Sequence, residues 1–202
     1  MTENTDFTPP ADPWILFKEW YGLAEKEEPS DANAMSLATV GADGMPSVRI
    51  VLMKDCDAKG LVFFTNRQSQ KGEQLLAHPK AGICLHWKSL RRQIRAEGLI
   101  TPVSEAESDA YHETRARGSQ IGAWASQQSQ KLANRGELEQ RVKELEKQYE
   151  GKPVPRPPHW GGYRLTPRAI EFWQERPFRL HDRIVYHRAG DKDAWIIERL
   201  YP

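Results

Sequence analysis

Apolar and polar positions alternate along this chain with two periods, and the places where the period changes outline its architecture. Leu16, Trp20 and Leu23 recur at helical spacing behind Asp12-Pro13, so residues 13–26 are expected to form a short amphipathic helix. The acid suits an N-cap, and proline at the first helical position gives up an N–H that has no partner there anyway. From residue 35 the pattern shortens to β-branched and apolar runs at 35–40, 46–54, 61–66, 81–87 and 91–101. Turn signals such as Gly41-Ala42-Asp43-Gly44 and Asp57-Ala58-Lys59-Gly60 separate them. Strands this short and this close predict an antiparallel barrel and not a parallel βαβ sheet.

The helical period returns at 104–117, where Ser104 and Glu107 form a capping box in sequence. It continues in Leu138, Val142, Leu145 and Tyr149, a stripe expected to pack into the core, flanked by Glu139/Lys143 and Glu137/Arg141 pairs. Four prolines make 151–159 a stiff connector. Strand patterns at 163–166, 169–174, 183–187 and 194–200 then complete the barrel. The expectation is an α+β fold, a split antiparallel β-barrel with flanking helices and a helical insertion. It forms one domain over 12–202, behind a polar tail at 1–11 expected to be disordered.

Composition narrows the function. Lys and Arg total 29 against 28 Asp and Glu, a formal charge of +1; duplex-binding proteins normally carry a marked basic excess, so no nucleic-acid partner is expected. Cys56 and Cys84 sit in no metal-ligand spacing, so no metal is expected. The acidic start, Met1 to Asp6, has no signal-peptide character, and no apolar run spans a bilayer. The chain reads as cytoplasmic, with no membrane partner. Neither GxGxxG nor GxxxxGK[ST] occurs, which removes support for Rossmann or P-loop nucleotide binding.

Three constellations carry candidate chemistry. In an extended run, Arg179, His181 and Arg183 share one face while Leu180 and Asp182 face away. Such a cationic comb suits an anionic ligand, although a solvated, charge-blunted edge strand explains it equally. Tyr111, Arg115 and Ser119 fall at i, i+4 and i+8, on one face if the helix continues that far, where they could hold a phosphate or simply pack at the surface. Third, the apolar Ile50-Val51-Leu52-Met53 between Arg49 and Lys54 reads as a buried strand. Five residues apart, the two cations serve one site only if a bulge or the strand end re-aims one. Downstream, Phe64-Thr65-Asn66 ends a strand and Ser69-Gln70-Lys71 opens a helix, a natural phosphate seat.

Taken in order, RIVLMK at 49–54, FFTN at 63–66, SQK at 69–71, RRQ at 91–93, SQIGAW at 119–124, QQS at 127–129, HWGGYR at 159–164, EFWQ at 171–174 and RLHDR at 179–183 resemble the pyridoxine 5′-phosphate oxidase family. The resemblance implies a homodimeric FMN enzyme with the flavin at the subunit interface. It would oxidise pyridoxine 5′-phosphate and pyridoxamine 5′-phosphate to pyridoxal 5′-phosphate, with O₂ as acceptor and H₂O₂ as by-product. FMN would be held by Arg49, Ile50, Val51, Leu52, Met53 and Lys54, by Phe64 and Thr65, and by Gln70 and Lys71. Gln93, Gln128, Ser129, Trp173 and Arg183 complete the implied cofactor set. The substrate phosphate would meet Lys54, Tyr111, Arg115 and Ser119, and Arg179, Leu180 and His181 would close over the ring, with Arg179 and His181 the catalytic pair. The chain departs from the family pattern in three places. Gln70 stands where a basic residue is usual, Phe64 where a tyrosine is common, and residues 1–12 carry neither the Arg nor the Tyr of a substrate-covering segment. The competing expectations are a split-barrel FMN oxidase of another aromatic ring, such as a phenazine precursor, and a non-catalytic flavin- or pyridoxal-phosphate-binding protein.

Overall fold

The computed structural model describes residues 8–202. Asp12 caps helix α1 (Pro13–Glu27) by accepting from the Trp14 N–H at 3.0 Å. The helix buries Trp14, Leu16, Phe17, Trp20 and Ala24 against the sheet, whereas Leu23 stays partly exposed. Trp20 meets Phe172 edge-on at 5.4 Å, locking the helix to the barrel wall. The 1–7 part of the expected tail lies outside the described residues; beyond it, the Pro10 carbonyl accepts from the Tyr186 hydroxyl at 2.8 Å.

The strands are β1 (Ala34–Val40), β2 (Pro46–Leu52), β3 (Asp55–Asp57), β4 (Gly60–Asn66), β5 (Lys80–Trp87), β6 (Arg92–Pro102), β7 (Trp160–Gln174), β8 (Asp182–His187) and β9 (Ile196–Arg199). They form one curled antiparallel sheet in the order β2-β1-β5-β6-β7-β4-β3, with β8 on β7 and β9 on β8. The two runs expected at 163–166 and 169–174 are one strand. β7 pairs β6 along its length, β4 with its first half and β8 with its second. Pro167 is accommodated because it falls at the bulge between Glu97 and Gly98, where the ladder is interrupted. Gly60, at φ 137°, lies where a Cβ would sit 1.9 Å from the Leu165 carbonyl oxygen, so only glycine lets β4 approach β7 there.

Helix α2 (Gln70–Ala77) follows β4, and α3 (Glu105–Thr114), α4 (Arg117–Ala125) and α5 (Arg135–Gln148) form the insertion between β6 and β7. The Ser104/Glu107 capping box is formed at the start of α3. Two expectations need correction. The 138–149 stripe does not enter the core. α5 buries no residue, and Leu138, Val142, Leu145 and Tyr149 are only half-buried beside α4, because the insertion lies outside the barrel. β2 is not a buried strand either. As the end strand of the main path it leaves Val48 66% and Ile50 62% exposed, an apolar face uncovered in a single chain.

Candidate functional site

A cavity of about 770 Å³ opens between the edge of β2, the end of β4, the start of α2 and the α3–α4 junction. Chain geometry explains how Arg49 and Lys54 both reach it. β2 stops at Leu52, so Lys54 lies beyond the regular alternation and faces the same space as Arg49. Ile50, Val51 and Leu52 line the cavity along the strand edge, whereas Met53 is buried in the core at 4% exposure and faces away. Phe64, Thr65, Gln70, Lys71, Gln128 and Ser129 form the far wall.

Tyr111, Arg115 and Ser119 share this cavity, but not for the reason their spacing suggested. Helix α3 ends at Thr114, Arg115 is its extended C-cap (φ −75°, ψ 145°), and α4 starts at Arg117. The break turns the chain so that all three still line one wall.

The cavity is cationic without compensation. Arg49, Lys54, Lys71 and Arg115 line it, and no carboxylate is among the described residues of its wall. Lys71 is 8% exposed and donates to Gln128 Oε1 at 3.0 Å and to the hydroxyls of Thr65 and Ser69 at 3.3 Å. Burial, and then the nearby charge of Arg49, pull its pKa below the ordinary lysine value. Arg49 donates to Thr39 Oγ1, to the Leu37 and Ser47 carbonyls at 3.2 Å and to Gln74 Oε1 at 3.4 Å. Its pKa is also lowered by burial. Nη1 of Arg115 is buried with no hydrogen-bond partner among the described residues. Desolvated cations and an orphaned donor converging on one space are the donor set of an anion receptor. Phe64, Tyr111 and Trp160 add a flat aromatic wall, with Phe64 at 4.1 Å from Tyr111 and 5.4 Å from Trp160. Gly162 makes room for the Phe64 ring, since a Cβ there would lie 2.7 Å from it.

The remaining expected site residues lie elsewhere on the chain. Gln93, Trp173 and Arg183 occupy one rung across β6, β7 and β8 and therefore share a sheet face. His181 packs on Trp173 at 4.6 Å between centroids. The cationic comb needs correction. Pro177–Arg179 is a short 3₁₀ turn with Phe178 and Arg179 at φ 58° and 63°, and β8 begins only at Asp182, so residues 179–183 are not one extended run. Proline at 177 and the left-handed pair curl the chain before the strand starts, and Arg179 and Leu180 sit on that turn. Arg183 is also committed. It grips Glu171 through Nε at 2.8 Å and Nη2 at 3.0 Å, and gives Nη1 to the Tyr201 carbonyl at 3.0 Å.

Sequence reasoning passed over Glu171, which Arg95 also contacts. The signal was available: a lone acid within the apolar Ile170-Glu171-Phe172-Trp173. Burial pushes its carboxyl up, but hydrogen bonds from Arg183 and Arg95 outweigh this and hold it below the usual carboxylate range. A depressed carboxylate contributes stability that is present above its unfolded pKa of about 4.3 and is lost as pH falls through the folded value. Thermal unfolding midpoints should therefore drop as pH falls below about 4.3, and Glu171→Gln should flatten that part of the profile. An unflattened profile would remove Glu171 from the account. Ser47, Val48, Ala116 and Trp160 also line the cavity without having been singled out; Trp160 alone had a signal, its place before two glycines in HWGGYR.

Comparison with known proteins matches residues 24–149 to the family described as pyridoxamine 5′-phosphate oxidase. The chain belongs to that family. Residues 160–202 match a second family description, the pyridoxine 5′-phosphate oxidase C-terminal dimerisation region, which holds β7, β8 and β9. A pyridoxine/pyridoxamine 5′-phosphate oxidase of Caulobacter vibrioides is 59% identical over 191 residues, covering 95% of this chain and 85% of the relative. One of Brucella canis is 52% identical over 203 residues, covering all of both. Among solved structures, PhzG from Burkholderia lata, in complex with tetrahydrophenazine-1-carboxylic acid, superposes with a TM-score of 0.91 at 33% identity, over 100% of this chain and 98% of that one. An FMN-binding protein from Nostoc punctiforme, at 21% identity and TM-score 0.75 over 94% of this chain and 97% of its own, shares the fold. The fold is thus the FMN-binding split barrel, and the family is one of oxidases. No described helix is long and apolar enough to cross a membrane.

Proposed function

We propose that this chain is an FMN-dependent oxidase converting pyridoxine 5′-phosphate or pyridoxamine 5′-phosphate to pyridoxal 5′-phosphate as a homodimer. The observation that carries the reading is a cavity with no carboxylate among the described residues of its wall and with two groups of anion donors. One surrounds Lys71 at the start of α2, and the other comprises Tyr111, Arg115 and Ser119. A phosphorylated cofactor and a phosphorylated substrate need two such anchors, and about 770 Å³ lies within the size range of small-molecule and cofactor sites.

The residues present fit FMN. Lys71, Arg49, Thr65, Gln128 and Ser129 would hold its phosphate, with Gln70 giving a neutral contact where the family usually has a cation. The exposed edge of β2 would hydrogen-bond its polar ring atoms. When bound, FMN accepts two electrons from the C4′ alcohol or amine and passes them to O₂, giving H₂O₂. The chain supplies binding and orientation. Lys54, Tyr111, Arg115 and Ser119 would fix the substrate phosphate and so direct C4′, a preorganisation that can be worth several kcal/mol, about 7–11 at the extreme.

Gln93, Trp173, Arg179, Leu180, His181 and Arg183 do not line this cavity. In the proposed dimer they belong to the partner's site, brought there when the uncovered apolar face of β2 is buried. Arg179 would then lie over the substrate ring and stabilise developing negative charge, with His181 hydrogen-bonding the C4′ group. Arg179→Met should lower kcat about tenfold or more while leaving bound flavin unchanged; equal loss of both would contradict the role.

The deciding experiment adds pyridoxine 5′-phosphate anaerobically to the FMN-loaded protein. Bleaching of the flavin, reversed by air with release of the aldehyde, supports the oxidase. Persistent colour with this substrate and with pyridoxamine 5′-phosphate refutes it. The structural likeness to the Burkholderia protein makes a tricyclic aromatic acid the second substrate to try.

A further inference from the structure

Arg115 lacks what normally fixes a half-buried guanidinium. Among the described residues no carboxylate pairs with it, and its Nη1 has no partner. What it has is a ring: its Cζ lies 4.6 Å from the centroid of Trp160. Trp160 is 6% exposed and is itself held on several sides. Phe64 stacks on it at 5.4 Å with 12° between planes, and His112 meets it edge-on at 5.4 Å. Its backbone N–H donates to the Pro157 carbonyl at 3.0 Å, and its backbone carbonyl accepts from Arg156 Nη1 at 2.6 Å. His112 is buried, and burial and then the charge of Arg115 lower its pKa, so the imidazole behind the platform is neutral near pH 7.

A carboxylate could orient Arg115 equally well but would neutralise it and compete with an incoming phosphate. An aromatic face orients a guanidinium through its quadrupole and leaves the net charge and the outward N–H groups available. We infer that Trp160 is a positioning residue for phosphate capture, holding the Arg115 guanidinium by its ring face so that the cation meets the substrate phosphate preoriented and without a counter-ion. The inference rests on the oxidase reading for the identity of the phosphate it serves.

The test compares Trp160→Leu and Trp160→Phe as FMN-loaded protein, measuring kcat and KM with pyridoxine 5′-phosphate and Kd for pyridoxal 5′-phosphate. Loss of the ring should raise KM and Kd about tenfold with kcat within about threefold, and phenylalanine should restore most of the difference. A residue that only packs the core would move kcat, flavin content and unfolding temperature together and would not be rescued by a smaller ring. Unchanged KM and Kd in Trp160→Leu, with wild-type turnover normal, would overturn the inference and leave the oxidase standing. If Trp160→Leu does not fold, Trp160→Met, a flexible apolar side chain with no ring face, takes its place and is read by the same outcomes. Wild-type protein that neither turns over the substrate nor binds the product would refute both readings.

Discussion

Arg115→Ala is expected to raise KM for the phosphorylated substrate by two to three orders of magnitude while the protein keeps its flavin. Each charge-assisted hydrogen bond to phosphate is worth roughly 1.5–3 kcal/mol, and a guanidinium can make two at once. Losing about 3–4 kcal/mol corresponds to roughly 150–1000-fold in affinity. The loss should fall on KM because the phosphate is remote from C4′ and is bound alike before and during the reaction. The fold should tolerate the change, since among the described residues Arg115 makes no ion pair and its Nη1 has no hydrogen-bond partner. Steady-state kinetics with flavin absorbance on the same samples checks this. A collapse of flavin content would mean that Arg115 serves the cofactor instead.

Lys71→Met is the second large effect, and it splits in sign. In the ligand-free protein Lys71 is a buried cation with three neutral hydrogen-bond acceptors and, among the described residues, no counter-ion, and it lies near a second cation, Arg49. Removing it relieves a desolvated charge, so the apo protein should unfold at the same temperature or a higher one. With FMN present the same change removes a cation beside the phosphate, and affinity should fall about ten- to hundredfold. Thermal melts with and without added FMN, together with a fluorescence titration of the flavin, measure both arms. A destabilised apo protein with unaltered FMN affinity would show that Lys71 is structural. Gln70 beside it supplies no second cation, and the other charged side chain on that first turn is the acid Glu73, so the loss is not made up locally.

The proposed dimer would link these effects to turnover. In one chain, the anion-binding wall and the Gln93–Trp173–Arg183 rung lie in different places, and Val48 of the edge strand lines both the main cavity and the depression that holds Arg183. An interface along β2 would cover the apolar ladder of Val48, Ile50 and Leu52. It would also bring the second set of residues to the first. The Glu171 clamp then gains a purpose beyond stability, since it presents Arg183 in one orientation to whatever docks there.

Local chemistry was legible in the sequence. Asp12-Pro13, the Ser104/Glu107 box, Ser69 before α2 and the alternating runs each act over a few residues, and each element formed close to where its pattern ended. The ordered polar motifs likewise named most of the cavity wall. What the sequence could not supply was any property set by relations between distant segments. Spacing put Tyr111, Arg115 and Ser119 on one helix face, yet a break at Arg115 aims them together. Alternation put Arg179, His181 and Arg183 in one comb, yet Pro177 and two left-handed residues turn the chain first. Apolar content marked Ile50 as buried, but whether a strand is covered depends on its place in the sheet order, and β2 is an edge. The counter-ion of Arg183 and the ring beneath Arg115 come from β7. The sequence by itself thus determined which elements form and which side chains are available for chemistry, because helix caps, turns and hydrophobic periods are short-range forces. Only the tertiary structure decided which cations are paired and which face a cavity with no carboxylate among the described residues of its wall, because charge compensation and burial depend on what the rest of the chain brings alongside.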